Sequence, residues 1–388
     1  MTGASIAIVA PAPVPPAIGG AERLWWGLTE FVNRHSEHQA ELIKLPTPER
    51  DVWEIVDGYK RFSRLDVSGY DVVVTGKYPA WMLEHDNHRV YLLHRLRGLY
   101  DTYHLTGLPT DVASEDPDVQ ALLKLLDAHE GERDALPEIF ARLGALEARR
   151  KPLAPDLLAL PGPFVRRIVH FFDRIALSPH AVHQFATLSH AVAQRPGYFP
   201  AGADVRVAHP MTHLQGLRPK GSRHLLAVSR LDAPKRLGLV VEAMRRSSAR
   251  LPLLIAGTGP EHDRLQQLIA GDERIRLLGY VNDDELVSLY NDARAVVFTP
   301  DREDFGFIAL EAMLAGKPVI TTHDAGGPTE LVQDGVSGRI VDPDAASLAA
   351  ALDDVGGSRR RARRMGREAQ RRAQHITWKA VVDAILAP

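Results

Sequence analysis

Thr299-Pro-Asp-Arg-Glu-Asp-Phe-Gly-Phe-Ile-Ala-Leu-Glu-Ala-Met313 is the stretch on which the reading of this chain turns. An apolar run, Ala293 to Thr299, leads into it. A helical pattern carrying Ile308, Leu310, Ala312, Met313 and Leu314 leads out. The implied order is a strand, a loop holding a carboxylate, and a helix N-terminus. Such a place can hold an anion on backbone N–H groups and polyol hydroxyls on carboxylate acceptors. Glu303 falls in the loop, and Glu311, eight residues on, falls about two turns into the helix. The plainer alternative is a capping carboxylate followed by a solvated helix glutamate.

The rest of the chain alternates in the same way. Ser5–Ala10, Tyr70–Thr75 and Val90–Leu93 are strand-like, and Val182–Leu188 fits either a strand or a helix. From residue 223 the apolar runs HLLAVS, LPLLIAG, IRLLG, AVVFT and PVITT alternate with helices beginning at Leu237, Glu261, Asp284, Ile308 and Pro328. Short apolar runs between helices predict parallel strands covered on both faces, hence a doubly wound α/β fold. A chain of 388 residues exceeds one ordinary core and predicts two domains. The aperiodic, Pro- and Gly-containing segment Pro210–Gly221 places the boundary. The domains expected are 1–210, with a helical excursion over about 114–150 that covers the sheet or shapes an acceptor side, and 211–370. A C-terminal helix over 371–388 follows and can cross back to the first domain.

Other motifs fall after strands. Gly19-Gly20-Ala-Glu-Arg23 opens a helix behind a Pro-rich loop. Ala227-Val-Ser-Arg-Leu-Asp-Ala-Pro-Lys-Arg236 follows HLLAVS, and Leu253-Leu-Ile-Ala-Gly-Thr-Gly-Pro260, Leu277-Leu-Gly-Tyr-Val281 and Ala325-Gly-Gly-Pro-Thr-Glu-Leu-Val332 come later. In this order the motifs resemble those of the retaining GT-B glycosyltransferases of family 4, with Glu303 and Glu311 as the E-x7-E pair and Arg230 to Lys235 inside the family's G/S-R-L-x-P-x-K-G signature. The match runs from roughly residue 222 to 345 and includes the Gly-Gly turn near the N-terminus.

The resemblance implies two Rossmann-like domains facing across a cleft and transfer of a sugar from a UDP- or GDP-linked donor to a hydroxyl acceptor with retention. The route implied is front-face attack, without a metal or other cofactor. Glu303 and His94 would be catalytic. Gly19, Gly20, Arg230, Lys235, Gly306 and Phe307 would hold the diphosphate. Glu303, Asp304 and Phe305 would hold the sugar, and Glu311, Tyr280 and Val281 the ribose and base. His94 follows the strand Val90–Leu93, with His85, His88 and His104 close by and Lys77, Arg95 and Tyr100 as acceptor-side neighbours.

Composition narrows the alternatives. A net charge of −2 gives no global attraction to nucleic acid or membrane. The absence of cysteine removes disulfides, thiolate catalysis and Cys-ligated metals. Residues 4–18 lack a preceding basic segment and read as strand and loop rather than a signal peptide, which makes the cytoplasm the expected location. The strings Asp116-Pro-Asp118 and Asp342-Pro-Asp344 sit in polar segments, the second as a helix cap rather than a metal site. Gly257-Thr-Gly259 gives only part of a dinucleotide fingerprint, since His262 stands where a third glycine would be, so an NAD-dependent oxidoreductase is a weak rival. An epimerase or phosphorylase on the same fold is a closer one. Eight arginines within Arg359–Arg372 can bind phosphates or anionic lipid, but Ala362, Met365, Ala369 and Ala373 at helical spacing favour a solvated helix packed through those positions.

Overall fold

The computed structural model describes residues 3–16, 19–150 and 153–387. Ala17 and Ile18, at the end of the Pro-rich loop, lie outside the described residues. The chain divides into two compact units. The first holds the chain up to Leu188, Val192–Ala208 and the segment from Val381 onward, and the second holds Ser189–Ala191 and His209–Ala380.

In chain order the first part of the molecule runs β1 (Ser5–Pro13), α1 (Gly20–His35), β2 (Gln39–Thr47), α2 (Val52–Phe62), β3 (Val72–Lys77), β4 (His88–His94), α3 (Pro117–Ala128), α4 (Leu136–Ala148), α5 (Pro163–Ala176), β5 (Gln184–Thr187), α6 (His190–Ala193) and β6 (Val205–Val207). It continues β7 (His224–Val228), α7 (Leu237–Arg246), β8 (Leu253–Ala256), α8 (His262–Ile269), β9 (Ile275–Gly279), α9 (Asp283–Asp292), β10 (Ala293–Val297), α10 (Phe307–Leu314), β11 (Val319–Thr322), α11 (Pro328–Leu331), β12 (Gly338–Val341), α12 (Ala345–Gly356), α13 (Arg359–Ala373) and α14 (Trp378–Leu386).

Each unit is built on a six-stranded sheet, ordered β2-β1-β3-β4-β5-β6 in the first and β12-β11-β10-β7-β8-β9 in the second. Every strand pairing is parallel. The chain winds one way from β1 and then crosses to β3, and likewise one way from β7 and then crosses to β10. The crevice at each reversal, beyond the carboxyl ends of the strands, is where ligands bind in such sheets.

The central strands are the apolar runs found in the sequence. Three strands were not anticipated: β2, β6 and β12. All three are sheet edges with half-exposed residues, so none carries a continuous apolar run. The expected excursion is the pair α3 and α4. It buries Val119, Leu122 and Leu126 from one helix and Ile139, Phe140 and Leu143 from the other, and Phe140 stacks on Phe172 of α5 at 5.2 Å. It is a cover for the helical layer.

Helix α13 buries Ala362, Met365, Gly366, Ala369 and Ala373 and leaves its arginines outward, as the favoured expectation held. Its contact is close: a Cβ on Gly366 would lie 2.0 Å from the carbonyl oxygen of Gly316. Both Asp-Pro-Asp strings cap helices, since Asp116 accepts from the N–H groups opening α3 and Asp344 from those opening α12.

The first unit buries a carboxylate completely. The carboxylate of Asp173 on α5 is 0% exposed and accepts from Tyr59 Oη (2.5 Å), Trp81 Nε1 (2.7 Å) and Tyr100 Oη (2.7 Å), with Arg95 at 3.6 Å. Arg95 in turn donates to Tyr100 and to the carbonyl of Tyr198. This knot fixes the loop that follows β4. Removing the carboxylate leaves three donors without their acceptor and Arg95 without its counter-charge, so Asp173→Ala should cost about 3–5 kcal/mol, measured by urea denaturation.

Candidate active site

In the second unit the loops after β7 and β10 meet at the reversal of winding. Lys235 comes from the first loop and Glu303 from the second, 68 residues apart in sequence, and Lys235 Nζ pairs with Glu303 Oε2. The pair is half-buried, and the ammonium also lies 5.9 Å from the centroid of the Phe298 ring.

The backbone around Glu303 is fixed on both sides. Its N–H donates to the carbonyl of Ala325 (2.8 Å), and its own carbonyl accepts from Gly327 (3.0 Å). Asp301 donates to the carbonyl of Pro234 (2.8 Å), tying the loop after β10 to the loop of Lys235. Gly306 begins α10 at φ 92°, a left-handed conformation open to glycine, and a Cβ there would meet Pro328 Cγ at 2.7 Å. Helix α10 has no side-chain cap, and the N–H groups of Phe305, Gly306 and Phe307 make no hydrogen bond among the described residues. Phe305 is buried and stacks on His209 at 5.4 Å.

A residue not singled out in the sequence reading organises these loops. Arg236 donates to the carbonyls of Thr299 (2.8 Å) and Pro300 (2.6 Å), to Thr322 Oγ1 (3.0 Å) and to both oxygens of Asp324 (2.7 Å each). It does so from φ 50°, at the position where the G/S-R-L-x-P-x-K-G signature ends in glycine. A second fastener is Glu330, which accepts from His190 N (2.9 Å), Ala191 N (2.6 Å) and His209 Nε2 (3.0 Å). Burial pushes its carboxyl up, but the His209 hydrogen bond and the two backbone N–H groups together hold it below the ordinary range.

Other sequence-predicted residues are placed less compactly. Arg230 projects into solvent, its side chain 79% exposed, and pairs with Asp232 at 3.2 Å. Glu311 lies just over one turn into α10, which starts at Phe307, rather than two turns, because the four residues from Glu303 to Gly306 are loop. It is 7% exposed and accepts from Thr212 Oγ1 (2.9 Å) and Tyr290 Oη (2.8 Å), so Glu303 and Glu311 are held by separate partners. Tyr280 is exposed and Val281 half-buried beyond the end of β9, the sheet edge, two strand spacings or about 10 Å from β7. Gly257 and Gly259 have a packing reason: a Cβ on the first would lie 1.8 Å from the carbonyl oxygen of Ser229, and one on the second 2.6 Å from that of Leu231.

In the first unit Gly19 precedes α1 and Gly20 is its first residue. The N–H of Gly19 donates to Glu22 Oε2 at 3.1 Å, so a carboxylate already meets that donor. His94 ends β4 and is half-buried. Its Nδ1 lies 2.7 Å from the carbonyl oxygen of Arg95, which can only accept, so Nδ1 carries the proton and Nε2 faces away from that bond.

Residues 212–372 match the family model described as glycosyl transferases group 1. The second unit is a group 1 glycosyltransferase domain. Among curated proteins the chain is similar to a glycogen synthase of Mycobacterium tuberculosis, 36% identical over 180 residues that cover 43% of this chain and 42% of that protein. It is also similar to a D-inositol 3-phosphate glycosyltransferase of Nocardia farcinica, 31% identical over 242 residues covering 57% of this chain and 53% of the relative. The chain thus spans about half the length of these relatives, or less. Among solved structures it resembles a sucrose-phosphate synthase of Thermosynechococcus elongatus with a TM-score of 0.65 at 17% identity, over 97% of this chain and 96% of the other. That likeness shows the fold, the two-unit parallel α/β architecture of GT-B proteins.

The Arg236 clamp makes a direct test. Alanine at φ 50° keeps the left-handed strain and loses every hydrogen bond, whereas glycine loses only the bonds. Arg236→Gly should therefore be about 1 kcal/mol more stable than Arg236→Ala, and both less stable than the parent, by chemical denaturation. The Arg236 hydrogen bonds hold the Asp324 carboxyl below its ordinary value of 3.8, against a smaller upward push from burial. That stabilisation is present above the unfolded value and is lost as pH falls through the folded one. The stability gap between parent and Arg236→Gly should narrow as the pH drops below 3.8.

Proposed function

We propose that this chain is a retaining glycosyltransferase that moves a sugar from a UDP- or GDP-linked donor to a hydroxyl of a saccharide, natural-product or lipid-linked acceptor, in the cytoplasm and without a metal. The observation that carries this is the Lys235–Glu303 pair, set at the winding reversal of a group 1 domain beside the uncapped start of α10.

The pair is an acceptor and a donor held ready for a ligand that offers both. A diphosphate would draw Lys235 Nζ away from Glu303 into a charge-assisted bond. The freed carboxylate then accepts hydroxyls of the transferred sugar. The N–H groups of Phe305, Gly306 and Phe307 would bind the phosphate oxygens that gain charge as the bond breaks. Arg230, exposed at the surface on its long side chain, would fold inward from Asp232 onto the diphosphate. The Gly19-Gly20 turn would add N–H donors once the diphosphate displaces the Glu22 carboxylate. Glu311 would take a ribose hydroxyl on its carboxylate, with Tyr280 and Val281 beside the base. We assign His94 a hydrogen bond to the sugar through Nε2, and Asp304 a place beside Glu303 at its hydroxyls.

In the transfer step the bond between the anomeric carbon and the diphosphate oxygen breaks, and the oxygen keeps the electron pair. The acceptor oxygen bonds to the same face of that carbon, and its proton passes to the departing phosphate. The protein's contribution is preorganised charge around the leaving group and the oxocarbenium-like sugar. Both Asp-Pro-Asp strings serve helix caps, which supports a diphosphate neutralised by side chains and backbone.

A thermal-shift screen of nucleoside diphosphates and nucleotide sugars checks the donor site, because a ligand of the native state raises its melting temperature. Glu303→Ala and Lys235→Ala should each lower sugar transfer by on the order of 100-fold or more, with melting temperatures within a few degrees of the parent. Near-parental transfer by both variants would sink the assignment, and hydrolysis or epimerisation of the donor without transfer would replace it with the rival chemistry.

A further inference from the structure

The second unit has a cationic cavity at the amino ends of its central strands, opposite the loops that carry Lys235 and Glu303. It is about 200 Å³ in volume and is lined by Pro219–Ser222 ahead of β7, by Ala293 and Arg294 at the start of β10, by Gly316 and Lys317 ahead of β11, and by one face of α13. Five of its twelve lining residues are cations, Lys220, Arg294, Lys317, Arg363 and Arg367, and none is acidic.

Lys317 is the unusual member. It is 3% exposed, yet its ammonium has one hydrogen-bond acceptor among the described residues, the carbonyl oxygen of Gly221 at 3.0 Å, and no carboxylate within ion-pair distance. Burial pushes it down to about 8, against an upward pull from Asp292, and Arg363 pushes it further down. An ammonium that has given up water for one carbonyl has two N–H donors to offer.

The rest of the wall repeats the imbalance. Arg363 and Arg367 lie four residues apart on one face of α13, where like charges repel, and neither has an ion pair or a hydrogen bond among the described residues. Arg359, Arg360 and Arg361 occupy the first turn of the same helix, the end at which its dipole disfavours cations. Two nearby carboxylates are engaged elsewhere, Asp354 with Arg339 and Arg361 and Glu368 with Arg371. Asp292, beside Gly221, is the one acidic neighbour: its Oδ1 is buried without a hydrogen-bond partner among the described residues, and its other oxygen lies 3.9 Å from Arg223. Arg294 is the positioning member, its guanidinium spent on Ser222 and the carbonyl of Gly356.

We propose that this cavity is a second binding site, specific for a phosphate monoester dianion, with Lys317 at its base and Arg363 and Arg367 as its rim. Its volume is below the 300–1,000 Å³ or so usual for whole organic ligands, so it takes the phosphate group and leaves the remainder of the molecule outside along the arginine face of α13. Two guanidiniums and an ammonium supply the charge-assisted donors that a tetrahedral dianion accepts. The inference does not rest on the donor-site reading, because no residue is shared.

The test uses the full chain and inorganic phosphate as probe, against sodium chloride of equal ionic strength. Phosphate at about 10 mM should raise the melting temperature by a few degrees. The exposed double variant Arg363→Glu with Arg367→Glu should abolish that rise, while Lys235→Ala should retain it. A rise that survives the double variant, or one that only Lys235→Ala removes, overturns the proposal. Lys317→Met, which keeps the apolar stem, should bind phosphate at least about tenfold more weakly by calorimetry. Cosedimentation with phosphatidylcholine vesicles carrying phosphatidic acid separates the sources. Binding to vesicles without any phosphate shift would make α13 a membrane face and overturn the cavity.

Discussion

The guanidinium of Arg236 is the constraint on which the candidate active site depends. A parallel sheet ends in loops whose carbonyls have left the strand ladder, and each must find a donor or stay in water. Here the carbonyls of Thr299 and Pro300, the hydroxyl of Thr322 and the carboxylate of Asp324 converge on one planar cation that also belongs to the loop after β7. Only Arg offers five donors in a fixed fork. The left-handed backbone at this residue costs on the order of 1 kcal/mol, well below what several hydrogen bonds to a charged group contribute. The result is that Lys235, one residue before, has little freedom, and Glu303, three residues after Pro300, meets it at a fixed place.

How much of this could be read from the sequence follows from burial. Strands inside a parallel sheet are apolar on both faces, so β1, β3, β4, β7, β8, β10 and β11 appear as unbroken runs. An edge strand meets solvent, and its sequence mixes: Gln39-Ala-Glu-Leu-Ile-Lys and Val205-Arg-Val do not stand out from loops. The edge strand β9 was legible because Ile275-Arg-Leu-Leu-Gly keeps three aliphatic residues. Helix starts were read to within a residue where a capping residue or proline marked them, as at Asn282 and Pro328.

The candidate site was legible as composition and less so as contact. Glu303 and Lys235 stood out because both follow apolar strands, and strands adjacent in the sheet bring their loops together. Arg236 looked like one more basic residue, since nothing in its neighbours shows that carbonyls of a loop more than 60 residues away need a donor. The partners of Glu311 were hidden for the same reason. Thr212 and Tyr290 belong to the segment before β7 and to α9, and no spacing rule connects either to a glutamate on α10. The depth of Glu311 was misjudged because the eight residues from Glu303 do not all count as helix: Glu303 to Gly306 precede the first turn of α10.

Parallel strands also explain how one small unit can hold two cationic sites without their competing. The strands β7, β10 and β11 each carry a residue of the phosphate cavity at or just before the amino end and lead into the donor loops at the carboxyl end. Strands of four or five residues span roughly 15 Å. Two unit charges that far apart interact by about 1 kcal/mol at an effective dielectric constant of about 20, so a charge bound at one end of the strands is felt only weakly at the other. The helix dipoles differ too. Helix α10 directs its N-terminus at the donor loops and its C-terminal carbonyls toward Lys317, so the same helix favours an anion at one end and the cation that would receive an anion at the other. On the two proposals made above, the direction of the strands would give their two ends different ligands: backbone N–H groups and a single lysine for a diphosphate, and side-chain cations alone for a monoester.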